Sequence, residues 1–117
     1  MKDYKFNIEI AGVNYPLAFN LNVMGVIQEE YGSIDKWGKL TDGKKGEVNV
    51  KALIFGFTEM INEGLDIEND GKPASERKEL LTQKQVGRLI TEYGINKSAE
   101  KLNNAIVEST KSEEKNA

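Results

Sequence analysis

Few residues of this chain are of a type that does chemistry, and their spacing suits it poorly. Asp66, Glu68, Asp70 and Gly71 approach the D-x-[DN]-x-[DN]-G start of a calcium-binding loop. The third position, however, holds Glu, the eighth is Pro73, and the twelfth, where a bidentate Glu closes such loops, is Arg77. A solvated acidic loop is the reading that fits. Gly43-Lys44-Lys45-Gly46 has the G-x-x-G spacing of loops that clamp a nucleic-acid backbone. Two glycines flanking polar residues also make ordinary turns, and a phosphate-binding loop needs G-x-x-x-x-G-K-[ST]. The adjacent carboxylates Glu29-Glu30 and Glu113-Glu114 would serve as acid and base only if burial set their pKa values apart, and both pairs have polar neighbours. Tyr4, Tyr15, Tyr31 and Tyr93 offer rings for stacking. At these spacings they read as the rim of a core, with the hydroxyls in water.

The residues that are missing narrow the choice further. The chain has no histidine and no cysteine. Ser-His-Asp and Cys-His arrangements are thereby excluded, as are thiolate metal sites and disulfides. The formal net charge is −3, which disfavours non-specific binding to phosphates. No catalytic, cofactor-binding or metal-ligating residue is assigned, and neither nucleic acid nor a membrane is expected as partner. Apolar runs fall far short of the ~20 residues of a membrane helix, and no apolar core of signal-peptide length follows Met1. A cytosolic location is the expectation.

The elements that would position any site can be read from periodicity. Between residues 4 and 10, Tyr4, Phe6, Ile8 and Ile10 alternate with polar residues, the period of a half-buried strand. Alternation resumes at Tyr15, Leu17 and Phe19, so residues 13–19 form a second strand, with Gly12 and Asn14 suited to the turn. Pro16 has no amide hydrogen, which places this strand at a sheet edge or starts it after the proline. A helix is expected over residues 22–31, capped by Asn20 or Asn22, buried through Val23, Met24, Ile27 and Tyr31, and stopped by Gly32. Gly25 within it would admit a close neighbour. Ser33 opens a short helix with Ile34, Trp37 and Leu40 on one side, and Trp37 is expected at one end of the core with its ring edge at the surface.

The apolar stripe of Leu53, Ile54, Phe57, Met60 and Ile61 predicts the central helix, capped by Asn49, running over residues 50–63 and ended by Gly64. Residues 66–75 read as an exposed acidic loop. Thr82 and Gln85 form a capping box for a helix carrying Val86, Leu89, Ile90 and Tyr93, with Gly94 as its stop. A last helix over residues 97–107 turns Ala99, Leu102 and Ile106 inward. The sum is a single α+β domain over residues 1–107, an N-terminal β-hairpin packed on about four α-helices. Residues 108–117 are expected to form a mobile charged tail.

The order of these segments is more specific than any one motif. The run Asn7-Ile8-Glu9-Ile10-Ala11-Gly12-Val13-Asn14-Tyr15-Pro16-Leu17 leads into Phe19-Asn20-Leu21-Asn22-Val23-Met24. Ile27-Gln28-Glu29-Glu30-Tyr31-Gly32 and Ile34-Asp35-Lys36-Trp37 follow, then an apolar helix with Gly64, then Leu80-Leu81-Thr82-Gln83-Lys84-Gln85-Val86. Over residues 4–107 this resembles the small tail assembly chaperones of long-tailed phages and prophages of Gram-positive bacteria. The resemblance implies a non-enzymatic protein of the bacterial host cytoplasm. It would bind the helical tape-measure protein while the tail tube assembles, and be absent from the mature virion. It also implies, beside the tape-measure protein, a frameshifted longer form of the chain and the tail tube protein as partners.

The resemblance assigns no binding residues. A helical partner seeks an apolar groove with a polar rim, and Tyr15, Phe19, Met24 and Tyr31, on the hairpin and first helix, are the candidates. The competing reading makes all four ordinary core. An exposed edge at the second strand is a further candidate, for self-association. Two other functions fit the same residues: a structural tail component retained in the virion, and a small ligand-binding or regulatory domain of a mobile element.

Overall fold

The computed structural model describes residues 4–44 and 46–115, with side chains of the last helix described as far as Thr110. Two strands, β1 (Lys5–Ile10) and β2 (Val13–Ala18), are followed by α1 (Leu21–Tyr31), α2 (Ile34–Thr41) and α3 (Val50–Asn69). A 3-10 turn (Ala74–Glu76), α4 (Gln83–Tyr93) and α5 (Ile95–Lys115) complete the chain. The fold class is α+β, as the sequence predicts. Lys45 of the G-x-x-G segment and residues 116–117 of the expected tail lie outside the described residues.

The hairpin turns on Ala11 and Gly12, with φ of 52° and 82°. Positive φ at both central residues is what a two-residue type I′ turn requires. The register follows: Ile10 faces Val13, Ile8 faces Tyr15 and Phe6 faces Leu17. The ladder extends by one bond, in which the Phe19 N–H donates to the Tyr4 carbonyl at 2.8 Å. In such a ladder alternate pairs exchange hydrogen bonds. Asn7 and Pro16 form a pair that does not, so the proline's missing N–H faces away from β1 and the strand tolerates it.

Alternation holds in β1, where Ile8 and Ile10 are buried and Lys5, Asn7 and Glu9 are exposed. It fails in β2: Pro16, Leu17 and Ala18 are all buried, as is Phe19 after them. The cause is α3, which covers the flank of β2. A Cβ at position 64 would stand 2.9 Å from the Pro16 Cβ and 3.1 Å from its carbonyl oxygen. The second strand is therefore flanked by α3 at Pro16 and is not the exposed edge that the sequence suggested. Gly64 likewise does not end the central helix. It lies inside α3, which continues to Asn69 with Leu65 buried, and the expected loop over residues 66–75 begins only at Asp70.

Trp37 also departs from expectation. Its ring is fully buried, without an edge at the surface. The indole N–H donates to the Ala52 carbonyl at 3.0 Å, and Phe19 stacks on the ring at 6.4 Å between centroids. Gly56 makes room for it: a Cβ there would overlap Trp37 Cζ2 and stand 2.9 Å from Cε2. Gly25, by contrast, has nothing within 4 Å of a Cβ, so it admits no close neighbour.

The caps agree with the sequence. Asn20, Ser33 and Asn49 accept from Val23, Lys36 and Ala52 N–H respectively. Thr82 and Gln85 close both halves of the capping box at 3.1 and 2.8 Å. Gly32 and Gly94 stop their helices at φ of 92° and 107°. The last helix starts earlier and ends later than expected. Residues 108–115 continue α5, and the Ser109 hydroxyl is buried and donates to the Ala105 carbonyl at 2.8 Å. The expected boundary at residue 107 is thus no break in secondary structure.

Three substitutions test this account by urea unfolding. Gly56→Ala should destabilise by about 1–3 kcal/mol, because the added methyl displaces the indole. Gly25→Ala, in an open helical position, should stabilise by roughly 0.5–1 kcal/mol. Ala11→Asn should stabilise by up to about 1 kcal/mol, since Asn adopts the left-handed backbone of a type I′ turn more readily than Ala.

Candidate partner-binding trough

The helix that organises the core also carries an outward face. Lys51, Phe55, Glu59, Asn62 and Asp66 recur along α3 at spacings of four, four, three and four, which places them on one stripe. α1 lies along one side of the stripe in the opposite direction. Tyr31, at its C-terminal end, meets Phe55 edge to face at 5.5 Å. At its N-terminal end, Asn20 and Asn22 both donate to the Glu63 carboxylate, at 2.7 and 3.0 Å. That carboxylate is thereby tied to the start of α1, where negative charge is favoured.

The opposite wall is an extended segment held by two asparagines one heptad apart on α3. Asn62 accepts from the Leu81 N–H at 2.8 Å and donates to the Leu81 carbonyl at 2.9 Å. Asn69 does the same for Lys78, at 2.9 and 2.7 Å. Each side-chain amide takes the place of a neighbouring strand, satisfying one donor and one acceptor of backbone that has no sheet to join.

Two depressions lie end to end between these walls. One, of about 620 Å³, is floored by Tyr31, Ile54 and Phe55, with Glu30, Lys51, Gln83 and Lys84 around it. The other, of about 330 Å³, is lined by Val26 and Leu80 on its sides and by Glu59, Glu63 and Asp66. From Lys51 to Asp66 the trough runs along roughly 22 Å of helix axis. Both depressions are open to solvent, and Val26 and Leu80 remain 38% and 47% exposed. One end is bordered by two lysines and one carboxylate, Glu30, and the other by three carboxylates, so the trough has a polarity.

Comparisons with family models, curated proteins and solved structures return no match.

The four candidate residues part company in the structure. Phe19 is wholly buried against Trp37 and belongs to the core. Tyr15, Met24 and Tyr31 are half-buried and pack against that core, and of the four only Tyr31 lines the trough. Sequence periodicity missed Phe55, Glu59 and Glu63. Phe55 is an apolar residue outside the core stripe of its own helix, and that misfit was the available signal. The acidic motif at residues 66–71 gives no loop, because Asp66 and Glu68 are helical. Among the described residues no group of three or more acidic, His or Cys side chains is placed to hold a metal ion. Gly43 and Lys44 of the G-x-x-G segment border a separate cavity of about 240 Å³ with Asp42, Glu100 and three asparagines, a lining with one cation against two carboxylates. No helix of the described residues is long and apolar enough to cross a membrane.

The trough is lined by apolar side chains, asparagines, carboxylates and lysines. It offers apolar contact along a helix-sized strip, with opposite charges at its two ends. Burial, and then the Glu30 charge, raise the Tyr31 hydroxyl above its ordinary pKa. Burial, and then Glu63 one turn away, raise Glu59 above the ordinary 4.5. A carboxyl that holds its proton more tightly when folded opposes folding once ionised. Its contribution therefore falls as pH rises from 4.5 through the raised folded value. Glu59→Gln should accordingly raise the melting temperature at pH 7, and the gain should vanish towards pH 4, as followed by calorimetry across that range.

Proposed function

We propose that this chain is a non-enzymatic phage tail assembly chaperone that binds the tape-measure protein during tail morphogenesis. The observation that carries this reading is the trough, whose length, apolar floor and charged ends suit one face of an amphipathic helix. The order of hairpin, helix and capping motifs over residues 4–107 supports it, through the family they resemble. A long helical protein built up before its tube closes around it needs its apolar stripes covered for a time. An open trough with a polar rim covers such a stripe and releases it again. The bound helix would lie with its N-terminus at the Glu59–Glu63–Asp66 end and its C-terminus near Lys51 and Lys84, as its dipole favours. In this reading the chain acts in the bacterial host cytoplasm and leaves before the virion is complete. A frameshifted longer form of the chain and the tail tube protein are secondary partners.

Co-expression with the tape-measure protein of the same phage should give a complex that co-purifies and a larger soluble fraction of that protein. Leu80→Glu, at an exposed wall position, should reduce recovery of the complex at least about tenfold while leaving the melting temperature within a degree or two. Absence of any complex or solubility gain would sink the proposal. A complex indifferent to Leu80→Glu and Val26→Glu would move the binding surface elsewhere. Stoichiometric presence of the chain in purified particles would instead favour a structural tail component.

A further inference from the structure

The hairpin leaves one edge open, and its sequence is complementary to itself. In the register described, Phe6, Ile8 and Ile10 exchange hydrogen bonds with β2. The backbone N–H and C=O groups of Lys5, Asn7 and Glu9 therefore point away from it. All three residues are exposed, and among the described residues their backbone groups bond to no other element. The far edge of β2 is closed, since Pro16 lacks an N–H and α3 packs against it. The β1 edge carries neither a proline nor a bulge, and its two exposed charges, Lys5 and Glu9, are of opposite sign.

We infer that β1 pairs antiparallel with β1 of a second copy, about a two-fold axis at Asn7, to make a four-stranded sheet. With Asn7 opposite Asn7, Lys5 of each copy faces Glu9 of the other. The outward N–H and C=O groups of residues 5, 7 and 9 meet their counterparts in full, since residues that point outward at odd positions meet only one another. Opposite charges directly across a strand pair are attractive, and like charges are repulsive. Moving the two-fold axis by two residues either way places Lys5 opposite Lys5 or Glu9 opposite Glu9, and moving it by one residue loses both Lys5–Glu9 pairs, so charge selects the Asn7-centred pairing. The Asn7 side-chain oxygen Oδ1 accepts from Asn14 Nδ2 at 3.4 Å, which leaves Asn7 Nδ2 to reach its symmetry mate. Phe6, only half-buried in one copy, gains Ile8 of the second copy across the new pair. The interface is a strand edge and therefore modest in area, which fits a dimer that forms and dissociates with concentration.

The test is sedimentation velocity over a wide range of protein concentration, on the full chain and on charge variants. The wild type should pass from monomer to dimer. Lys5→Glu and Glu9→Lys, which put like charges opposite each other, should each weaken the dimer about tenfold or more. Mixing these two variants should restore dimer as a heterodimer, and the double exchange in one chain should restore the homodimer. The chain has no cysteine, so Asn7→Cys gives a single thiol at the axis, where facing Cα atoms ~5.5 Å apart are within disulfide reach. It should oxidise to a covalent dimer far faster than Glu9→Cys. A chain that stays monomeric at all concentrations would overturn the inference. So would a dimer unaffected by the charge variants, or equal cross-linking at positions 7 and 9. None of these outcomes depends on the tape-measure protein, so the dimer and the chaperone reading stand or fall separately.

Discussion

An indole cannot enter the space between two helices unless one of them gives up a side chain. At Gly56 α3 does so, and Trp37 lies where a Cβ would have been. The ring's N–H is bonded to the Ala52 carbonyl of the same helix, so the one polar atom of the group is satisfied without water. Phe19 then stacks on the far side of the ring and brings the end of the hairpin with it. One seat thereby fixes α2, α3 and the exit from β2 relative to each other. Eight residues along, Gly64 repeats the device for Pro16. The hairpin is thus held against α3 at two points, and α3 is the element through which the rest of the fold is arranged. Its outward stripe inherits that rigidity and so keeps a fixed shape.

Local signals in this chain are honest about where helices start and less so about where they end. Asn20, Ser33, Asn49 and Thr82 each cap the helix that their position announces, because capping depends only on residues within one turn. The hairpin turn is legible for the same reason. Gly64 misleads because glycine serves two ends, a stop at positive φ and a close approach inside a helix, and only the neighbour across the gap tells which. Without Pro16 in view, the stop is the natural reading. Trp37 misleads in the same way, as no pattern on α2 announces a vacancy on α3. The burial of β2 on both faces likewise follows from α3 and not from alternation.

The candidate site was legible at one residue in four. Tyr31 lines the trough, whereas Phe19, strand-like in spacing, is core. A trough is a relation between elements distant in sequence: α1, α3 and the segment at residues 78–82 that Asn62 and Asn69 hold in place. Nothing about those asparagines in the sequence distinguishes them from surface residues. Their role emerges only when extended backbone is found beside them in want of partners. The charges at the trough ends were visible individually and uninformative until a common stripe joined them.

The buried Trp37 has one more consequence, and it is optical. The chain has a single tryptophan, sealed from water and hydrogen-bonded to the backbone of α3 four residues before Gly56. Its emission should lie to the blue of an indole in water and move to the red as the core opens. Phe55, in the trough floor, is the immediate neighbour of the glycine on which the ring rests. A partner that settles into the trough and shifts α3 by a fraction of an ångström would press on the fluorophore from behind. The molecule thus carries its own reporter, at the junction between the part that holds it together and the part that faces outward.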